Sequence, residues 1–237
     1  MILLFPQATD SFNLLFSEMI EKSSAQSFLD KSFNSYKMNK VTKVILVVLE
    51  NKIVEHYLKS YLSKSDLIKD FEIILLKKET SGSICTSLMS ISFLKNQAVI
   101  ISALDQIIIG NQLDFHEITV NKNADIVAPT LNSDDSSLCF TLKDDSNKVI
   151  QLFEKKAVSN DAIIGIYMIK NFSVFYKNCY ELLLKYKGFQ ERVFYTSDVI
   201  NNYIGQGFGC EFPIIETKYY KIRSLNDLEE ILWKKYS

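Results

Sequence analysis

Residues 44–76 read VILVVLENKIVEHYLKSYLSKSDLIKDFEIILL, and this stretch decides the fold class. Its first six residues, VILVVL, are apolar at every position, which is typical of a strand buried on both faces of a sheet. Residues 51–62 then repeat apolar side chains at helical spacing, at Ile53, Val54, Tyr57, Leu58 and Tyr61. Residues 72–76 return to a short apolar run. A strand, a crossover helix and a second strand predict a right-handed parallel unit.

The same alternation continues on both sides of this stretch. Residues 2–5 and 98–102 predict two further parallel strands, and the segment after Gly82 predicts another crossover helix. Beyond residue 125 the strands become shorter and are separated by Asp, Asn and Ser turns, which indicates a mixed or antiparallel half. Those strands are predicted at 126–129, 138–142, 149–153 and 163–169, with a hairpin turn at 143–147. Helices are predicted at 173–186, 197–204 and 224–234, the last one capped by Ser224 and Asp227.

These patterns predict an α/β fold. The arrangement is Rossmann-like, with a mixed, mainly parallel central sheet flanked by helices. No linker rich in Pro, Gly or Ser divides the 237 residues. The chain is therefore predicted to be a single domain that spans residues 1–237.

Composition excludes several classes of protein. Hydrophobic residues make up 47% and charged residues 23% of the chain, which are ordinary globular values. The longest apolar runs are far shorter than the ~20 residues that cross a bilayer, so no membrane span is expected. The net charge is −1 and like charges do not cluster, so nucleic acid is not an expected partner. Four widely separated cysteines indicate neither a zinc site nor a disulfide framework, and a cytoplasmic location is expected.

The positions of the glycines exclude two common nucleotide-binding loops. All seven glycines lie at or beyond Gly82. A P-loop and a dinucleotide-binding turn both need glycine after the first strand, because the backbone must approach the phosphates closely. Residues 5–16 read FPQATDSFNLLF, with ordinary side chains throughout. The sequence therefore indicates neither loop.

Two segments could bring ligand-binding groups to the carboxyl edge of the sheet. Residues 79–86, ETSGSICT, join a strand to a helix, so their backbone N–H groups and Gly82 could approach an anionic ligand. The same segment also fits a capped helix with glycine in a tight turn. Asp105 follows the fourth strand, where α/β sheets gather ligands. It could hold a magnesium ion, or it could cap a helix.

Glu154 and Lys155 follow the strand predicted at 149–153. Such a pair at a strand end is usually a solvated salt bridge, which contributes little to stability. The two side chains could instead bind a sugar hydroxyl and a phosphate. The residues alone leave both alternatives open.

Five segments, taken in order, give a more specific indication. They are ETSGSICTSL (79–88), VIISALDQII (99–108), VIQLFEKKAVSNDAIIGIYMIK (149–170), VFYTSDVINNYIGQG (193–207) and SLNDLEEIL (224–232). In this order they resemble a bacterial family of sugar-phosphate nucleotidyltransferase-like proteins from capsule and surface-glycan loci. The resemblance covers roughly residues 70–232 well, and the first 50 residues only as a layout of strand, loop, helix and strand.

The resemblance implies a GT-A-like Rossmannoid fold, with a nucleotide-binding half at 1–125 and a sugar or acceptor half at 126–237. It implies base contacts from Thr80 and Gly82, Mg²⁺ binding by Asp105, and sugar contacts from Glu154 and Lys155. Three further residues match the motifs as residues that shape the site: Gln106, Ser159 and Gly165. The implied small-molecule partners are a nucleoside triphosphate and a sugar phosphate. A homodimer or a protein of the same glycan pathway is the expected macromolecular partner.

The front of the chain departs from the family pattern. By resemblance, a Gly-x-Gly-x-Arg loop and a Pro-Lys-Pro segment would wrap the triphosphate there and bring positive charge to the transferring phosphoryl group. Residues 5–28 read FPQATDSFNLLFSEMIEKSSAQSF instead, and Lys22 falls roughly where the family lysine stands. Lys22 is therefore the predicted catalytic partner of Asp105. Because nucleotidyl transfer depends on positioning and charge stabilisation, loss of the loop could remove catalysis and leave binding intact.

Two hypotheses follow. In the first, the protein is a nucleotidyltransferase of surface-polysaccharide biosynthesis that joins a nucleoside monophosphate to a sugar phosphate and releases pyrophosphate; a GT-A glycosyltransferase is a variant. In the second, it is a catalytically inactive relative that binds a nucleotide or sugar, or scaffolds a glycan-pathway partner. The first expects Lys22 and Asp105 to face one cleft. The second expects Phe12 or Phe16 to fill that cleft.

Overall fold

A computed structural model of the protein describes residues 1–94, 96–110, 124–186 and 192–233. In chain order the elements are β1 (Ile2–Pro6), α1 (Asp10–Glu21), α2 (Ala25–Asn34), β2 (Lys43–Leu49), α3 (Lys52–Lys64), β3 (Phe71–Leu76), α4 (Ser83–Leu88), α5 (Ile91–Leu94), β4 (Val99–Ser102), β5 (Gln106–Ile109), β6 (Ile126–Val127), β7 (Thr130–Asn132), β8 (Cys139–Lys143), β9 (Val149–Glu154), β10 (Asp161–Ile163), β11 (Ile166–Ile169), α6 (Phe172–Lys185), α7 (Thr196–Gly205), β12 (Cys210–Glu211), β13 (Lys218–Lys221) and α8 (Leu225–Trp233). The predicted cap of α8 is confirmed, because the amides of Ser224 and Asp227 each donate to the other residue's side chain. Within the described residues, no helix is both long and apolar enough to cross a membrane.

The main sheet is mixed and mainly parallel, as the sequence predicts. Within the described residues it has seven strands, in the order β12-β6-β11-β4-β1-β2-β3. The pairs β4-β1, β1-β2 and β2-β3 are all parallel. β11 runs antiparallel to both of its neighbours, β4 and β6. The predicted α/β fold class is therefore confirmed.

Helices cover both faces of this sheet. Successive side chains of β2 alternate between two hydrophobic clusters, which explains why its whole run is apolar. One cluster lies against α1, α2 and α3 and contains Val44, Leu46 and Val48. The other lies against α6 and α7 and contains Ile45, Val47 and Leu49. β3, which the pattern would also allow at the centre, lies instead at the edge with half-buried side chains.

The second half of the chain builds a smaller antiparallel sheet, as its turn-rich sequence predicts. Its order is β7-β10-β8-β9, and every neighbouring pair is antiparallel. The predicted hairpin turn joins β8 and β9. There Asn147 has a φ of 64°, and the carboxylate of Asp144 accepts hydrogen bonds from the amides of Ser146 and Lys148.

The chain crosses from the small sheet to the main sheet at Gly165. The prediction of one strand over residues 163–169 is wrong, because this run divides between β10 and β11. Gly165 lies between the two strands with a φ of 73°, a left-handed conformation that favours glycine. A Cβ on Gly165 would stand 2.4 Å from Nε2 of Gln106. The side chain of Gln106 therefore packs directly against the crossing point.

The front of the chain holds two helices where the resemblance implies a loop and one helix. Residues 7–9 alone connect β1 to α1, a span of at most about 11 Å. Thr9 caps α1 by accepting a hydrogen bond from the amide of Phe12 at 3.2 Å. Phe12 and Phe16 are buried in the core. The connection is therefore too short to wrap around a triphosphate.

Substitution of Gly165 by alanine tests the crossing. The alanine would hold a left-handed backbone and press on Gln106, so we expect the free energy of unfolding to fall by about 1–3 kcal/mol. Urea denaturation midpoints at unchanged slope measure this change.

Gly205→Ala is the matched control for this experiment. Gly205 ends α7, and no atom lies within 4 Å of an added Cβ. We expect its free energy of unfolding to stay level or to rise by up to about 1 kcal/mol. Equal losses in both variants would contradict the role given to Gly165.

Candidate functional site

A cavity of about 410 Å³ opens at the carboxyl ends of β1 and β4. Pro6 and Ser102 line it from the main sheet, and Cys139 lines it from the small sheet. Its volume is within the range of small-molecule sites, and its place is where α/β sheets bind ligands. The charged side chains that line it, among the described residues, are Glu154, Lys155, Lys221 and Arg223.

Glu154 ends β9 and is partly removed from water. Burial raises the pKa of its carboxyl group above the ordinary glutamate value. Hydrogen bonds from Ser197 Oγ, at 2.8 Å, and from the thiol of Cys139 oppose this rise, as does the charge of Lys155. Burial also raises the pKa of the Cys139 thiol, so that it stays protonated and can donate. Glu154 is thus a half-buried acid held by two donors.

Lys155 directly follows Glu154 in the chain, and its side chain lines the same cavity. Successive side chains of a strand point to opposite faces, but Lys155 has a φ of 53° and leaves the strand geometry. Its ammonium donates to the hydroxyl of Tyr195 at 3.2 Å and lies 5.1 Å from the centre of that ring. None of the ion pairs of the described residues includes Lys155. The alternative of a simple salt bridge with Glu154 is therefore not realised.

Asp105 follows β4, as predicted, but its carboxylate is paired with a lysine. Nζ of Lys221 lies 2.7 Å from Oδ1 of Asp105, and the two side chains are 28% and 18% exposed. The pairing of β13 with β5 fixes this contact, because Lys221 stands opposite Gln106 in the ladder. The amide of Ile222 also donates to the carbonyl of Asp105 at 2.8 Å. Since β5 follows directly, Asp105 does not cap a helix.

Arg223 lines the cavity two residues beyond Lys221. Its guanidinium donates to Oδ2 of Asp135 at 3.0 Å and to Oγ of Ser137 at 2.6 Å. Hydrogen bonds from Ser137, and then Arg223, hold the pKa of Asp135 below its ordinary value. The sequence reasoning missed both Lys221 and Arg223. Residues two apart on an extended segment share a face, so their spacing was the signal that could have indicated them.

The turn that contains Thr80 and Gly82 is used for packing. Gly82 has a φ of 114°, and a Cβ there would stand 2.4 Å from the carbonyl oxygen of Phe194. The hydroxyl of Thr80 lies 2.6 Å from that of Thr86 and donates to the carbonyl of Gly82 at 3.0 Å. Ser83 is the residue of this segment that lines the cavity, among those the structure describes. The geometry matches the alternative of glycine in a tight turn, and the base contacts stay a prediction.

Lys22 lies at the far end of α1 from the cavity. It follows the last residue of the helix and is exposed, and twelve helical residues extend about 18 Å. At the near end, a carboxylate oxygen of Glu79 accepts a hydrogen bond from the amide of Asp10 at 2.6 Å. A helix N-terminus attracts anions, and here a side chain of the protein already supplies one.

Gln106 and Gly165 lie side by side in the cavity wall. The side chain of Gln106 accepts a hydrogen bond from Ser102 Oγ at 3.3 Å, and Ser102 Oγ accepts one from the hydroxyl of Tyr36 at 2.6 Å. Burial raises the pKa of Tyr36, which keeps this donor protonated. Ser159 accepts a hydrogen bond from the backbone two residues further on. Gln106 and Gly165 therefore form part of the cavity wall, and a role for Ser159 in shaping the site stays a prediction.

The structure brings three of the predicted site residues to one place. Glu154 and Lys155 line the cavity. Asp105 forms an ion pair with Lys221, which also lines it. Lys22 and Asp105 do not face one cleft, and the aromatic side chains expected to fill that cleft pack in the core. The structure therefore shows neither a cleft shared by Lys22 and Asp105 nor a cleft filled by Phe12 or Phe16.

Solved structures with the same architecture are nucleotidyltransferases. The nucleoside-diphosphate-sugar pyrophosphorylase from Vibrio cholerae RC9 is 18% identical, has a TM-score of 0.77, and aligns over 98% of this chain and 99% of its own. UDP-glucose pyrophosphorylase complexed with UDP-glucose is 14% identical with a TM-score of 0.72, over 99% and 98% of the chains. The inositol-1-phosphate CTP transferase from T. maritima is 12% identical with a TM-score of 0.65, over 98% and 93%.

The chain shares its fold with these solved structures. At these identities the likeness describes the fold alone. No family model and no curated protein sequence matches the chain.

The resemblance to nucleotidyltransferases implies magnesium at Asp105, and the residues around Asp105 do not fit it. Mg²⁺ needs oxygen ligands in near-octahedral geometry at about 2.0–2.1 Å. Oδ1 of Asp105 is instead bonded to the ammonium of Lys221, a cation without a free electron pair. Within the described ranges, no three His, Cys, Asp or Glu side chains are grouped to hold a metal. Asp105 is a lysine-paired carboxylate rather than a prepared magnesium ligand.

The Glu154→Gln substitution tests whether the cavity desolvates the carboxyl group of Glu154. Because the folded pKa lies above the unfolded one, the folded state binds more protons between the two values. The free energy of unfolding therefore falls as pH rises through that interval, which begins at about 4.3, the ordinary glutamate pKa. We expect the Glu154→Gln variant to lose less stability over this interval than the wild-type protein.

Urea midpoints at several pH values measure this difference. Glu229→Gln makes the same substitution at an exposed position on α8, and it should keep the wild-type pH dependence. If the Glu154→Gln variant also kept the wild-type pH dependence, the cavity would not desolvate this carboxyl group.

Proposed function

We propose that this protein binds a sugar phosphate, or the sugar-phosphate part of a nucleotide sugar, in the cavity between its two sheets. The observation that carries the proposal is the convergence of Glu154 and Lys155 on that cavity. A carboxylate accepts hydrogen bonds from sugar hydroxyls, and an ammonium pairs with a phosphate. The fold supports this ligand class, since one solved structure with the same fold is complexed with UDP-glucose.

Lys155 is the cation best placed to receive a phosphate. Lys221 and Arg223 already have acidic partners in Asp105 and Asp135. Lys155, in the part of the chain that the structure describes, contacts a tyrosine instead. Its left-handed backbone costs about 1–3 kcal/mol, and such strain is concentrated at functional sites. The strain is explained if this ammonium must face the ligand beside Glu154.

Three features of the front favour binding over nucleotidyl transfer. The β1–α1 connection is too short to wrap a triphosphate, and Lys22 lies at the far end of α1. Glu79 adds a negative charge at the near end of that helix, where transfer needs positive charge around the phosphoryl group. We therefore propose a ligand-binding relative of the nucleotidyltransferases that serves a surface-polysaccharide pathway in the cytoplasm, as a sensor of its ligand or as a scaffold.

Nucleotidyl transfer is the second candidate, and one observation favours it. Glu154 and Lys155 line one cavity, and Asp105 forms an ion pair with Lys221, which lines the same cavity. In that reaction a phosphate oxygen of the acceptor attacks the α-phosphorus of the triphosphate. The bond from that phosphorus to the β-phosphate oxygen breaks, and pyrophosphate leaves. Lys155 would bind the acceptor phosphate and Glu154 the sugar hydroxyls.

Isothermal titration calorimetry with UDP-glucose and with glucose 1-phosphate tests the binding proposal. We expect at least one of them to bind. Lys155→Ala should raise its Kd about tenfold, because it removes one ammonium–phosphate contact worth about 1.4 kcal/mol.

Lys148→Ala removes the same charge from an exposed position in the β8–β9 hairpin and should leave Kd unchanged. No binding of either ligand, or an equal loss of affinity in the two variants, would overturn the proposal.

A pyrophosphate-release assay separates the two candidate functions. With glucose 1-phosphate, magnesium and each of the four common nucleoside triphosphates, the binding proposal expects no release above background. Release that Asp105→Ala and Glu154→Gln both abolish would establish nucleotidyl transfer instead.

A further inference from the structure

We propose that Lys221 is a built-in cation that replaces magnesium at Asp105, so that the cavity takes its anionic ligand without a metal. The proposal deepens the proposed function, because it concerns the same cavity. Lys221 lines that cavity and lies 2.7 Å from Oδ1 of Asp105. The cation therefore stands where the resemblance implies a metal ion.

The fold holds this lysine in place. β13 pairs with β5 over four residues on each strand, and the ladder ends with Lys221 opposite Gln106. The backbone hydrogen bond from Ile222 to Asp105 continues the pairing beyond the strand. Both side chains of the ion pair are largely shielded from water. The ammonium is thus positioned by the backbone rather than by a freely moving surface side chain.

An ammonium can serve the carboxylate and a ligand at the same time. It has three N–H donors, of which the contact with Asp105 uses one. The remaining donors can reach phosphate oxygens, since lysine binds phosphate as a point charge. Lys221 can therefore bridge Asp105 and an anionic ligand, as a bound cation would.

A metal ion bound through Oδ1 of Asp105 would have to displace this ammonium. The displaced Lys221 would then be half-buried without its counter-charge, which is unfavourable. Asp135 cannot readily take over as that counter-charge, because Arg223 already binds it. The local charges therefore favour the lysine over a divalent cation.

Direct titration with Mn²⁺, followed by its electron paramagnetic resonance signal, tests this proposal without any organic ligand. We expect the wild-type protein to bind no Mn²⁺ at this position. Lys221→Asp would replace the ion pair with two neighbouring carboxylates. This variant should bind Mn²⁺ at least about tenfold more tightly than the wild-type protein does. Lys218→Asp, the same substitution at an exposed position on β13, is the control and should bind like the wild-type protein.

Lys221→Asn guards against a folding defect caused by repulsion between the two carboxylates. It adds an oxygen ligand without a second negative charge, and it should also gain Mn²⁺ affinity, by a smaller factor. Circular dichroism checks the fold of each variant. The proposal is overturned if the wild-type protein binds Mn²⁺ and Asp105→Asn abolishes that binding. It is also overturned if neither variant at position 221 binds Mn²⁺ more tightly than Lys218→Asp.

A second titration tests whether UDP-glucose binding needs a metal ion. The Kd for UDP-glucose should agree within about twofold in excess EDTA and in magnesium. Binding that requires magnesium would overturn the metal-free site and leave the proposed function standing. Absence of UDP-glucose and glucose 1-phosphate binding under both conditions would remove the proposed function, whereas the Mn²⁺ titration would still decide the role of Lys221.

Discussion

The passage of the chain between the two sheets at Gly165 is the constraint on which the site depends. On one side of this residue β10 pairs with β8, and on the other side β11 pairs with β4. The left-handed backbone changes the direction of the chain there, so the small sheet is held over the carboxyl ends of β1 and β4. Each sheet supplies part of the cavity wall. Gln106 packs on the glycine and connects the crossing to the segment that carries Asp105.

In the part of the chain that the structure describes, most charged side chains at the cavity are held by neighbouring groups. Among these residues, Glu154, Lys155, Lys221 and Arg223 line the cavity, and Asp105 and Asp135 pair with Lys221 and Arg223. Two of the cations are held by carboxylates, and the half-buried Glu154 is held by hydroxyl and thiol donors. Of the three cations that line the cavity in the described ranges, Lys155 contacts Tyr195 rather than a carboxylate.

Aromatic packing holds the front of the chain together. The aromatic side chains of α1 and α2 pack against β1 and α3, and this core stabilises the first strand and helix without any ligand. The connection from β1 to α1 is short, and Thr9 caps the helix that follows it. Stability is therefore supplied by the layers of the fold. The chemistry at the carboxyl ends of the main-sheet strands depends on a few residues in the segments that follow these strands, such as Glu79 and Asp105.

The amino-acid sequence predicted the α/β class, the crossover helices, the antiparallel second half and the hairpin at 143–147, because burial and turn chemistry act over a few neighbouring residues. It also indicated Glu154 and Lys155, through the order of the motifs. It could not divide residues 163–169 between two sheets, because both parts are equally apolar. It could not pair Asp105 with Lys221, which are 116 residues apart in the chain. Only the tertiary structure decided these points, since sheet order and strand register depend on packing between segments that are distant in sequence.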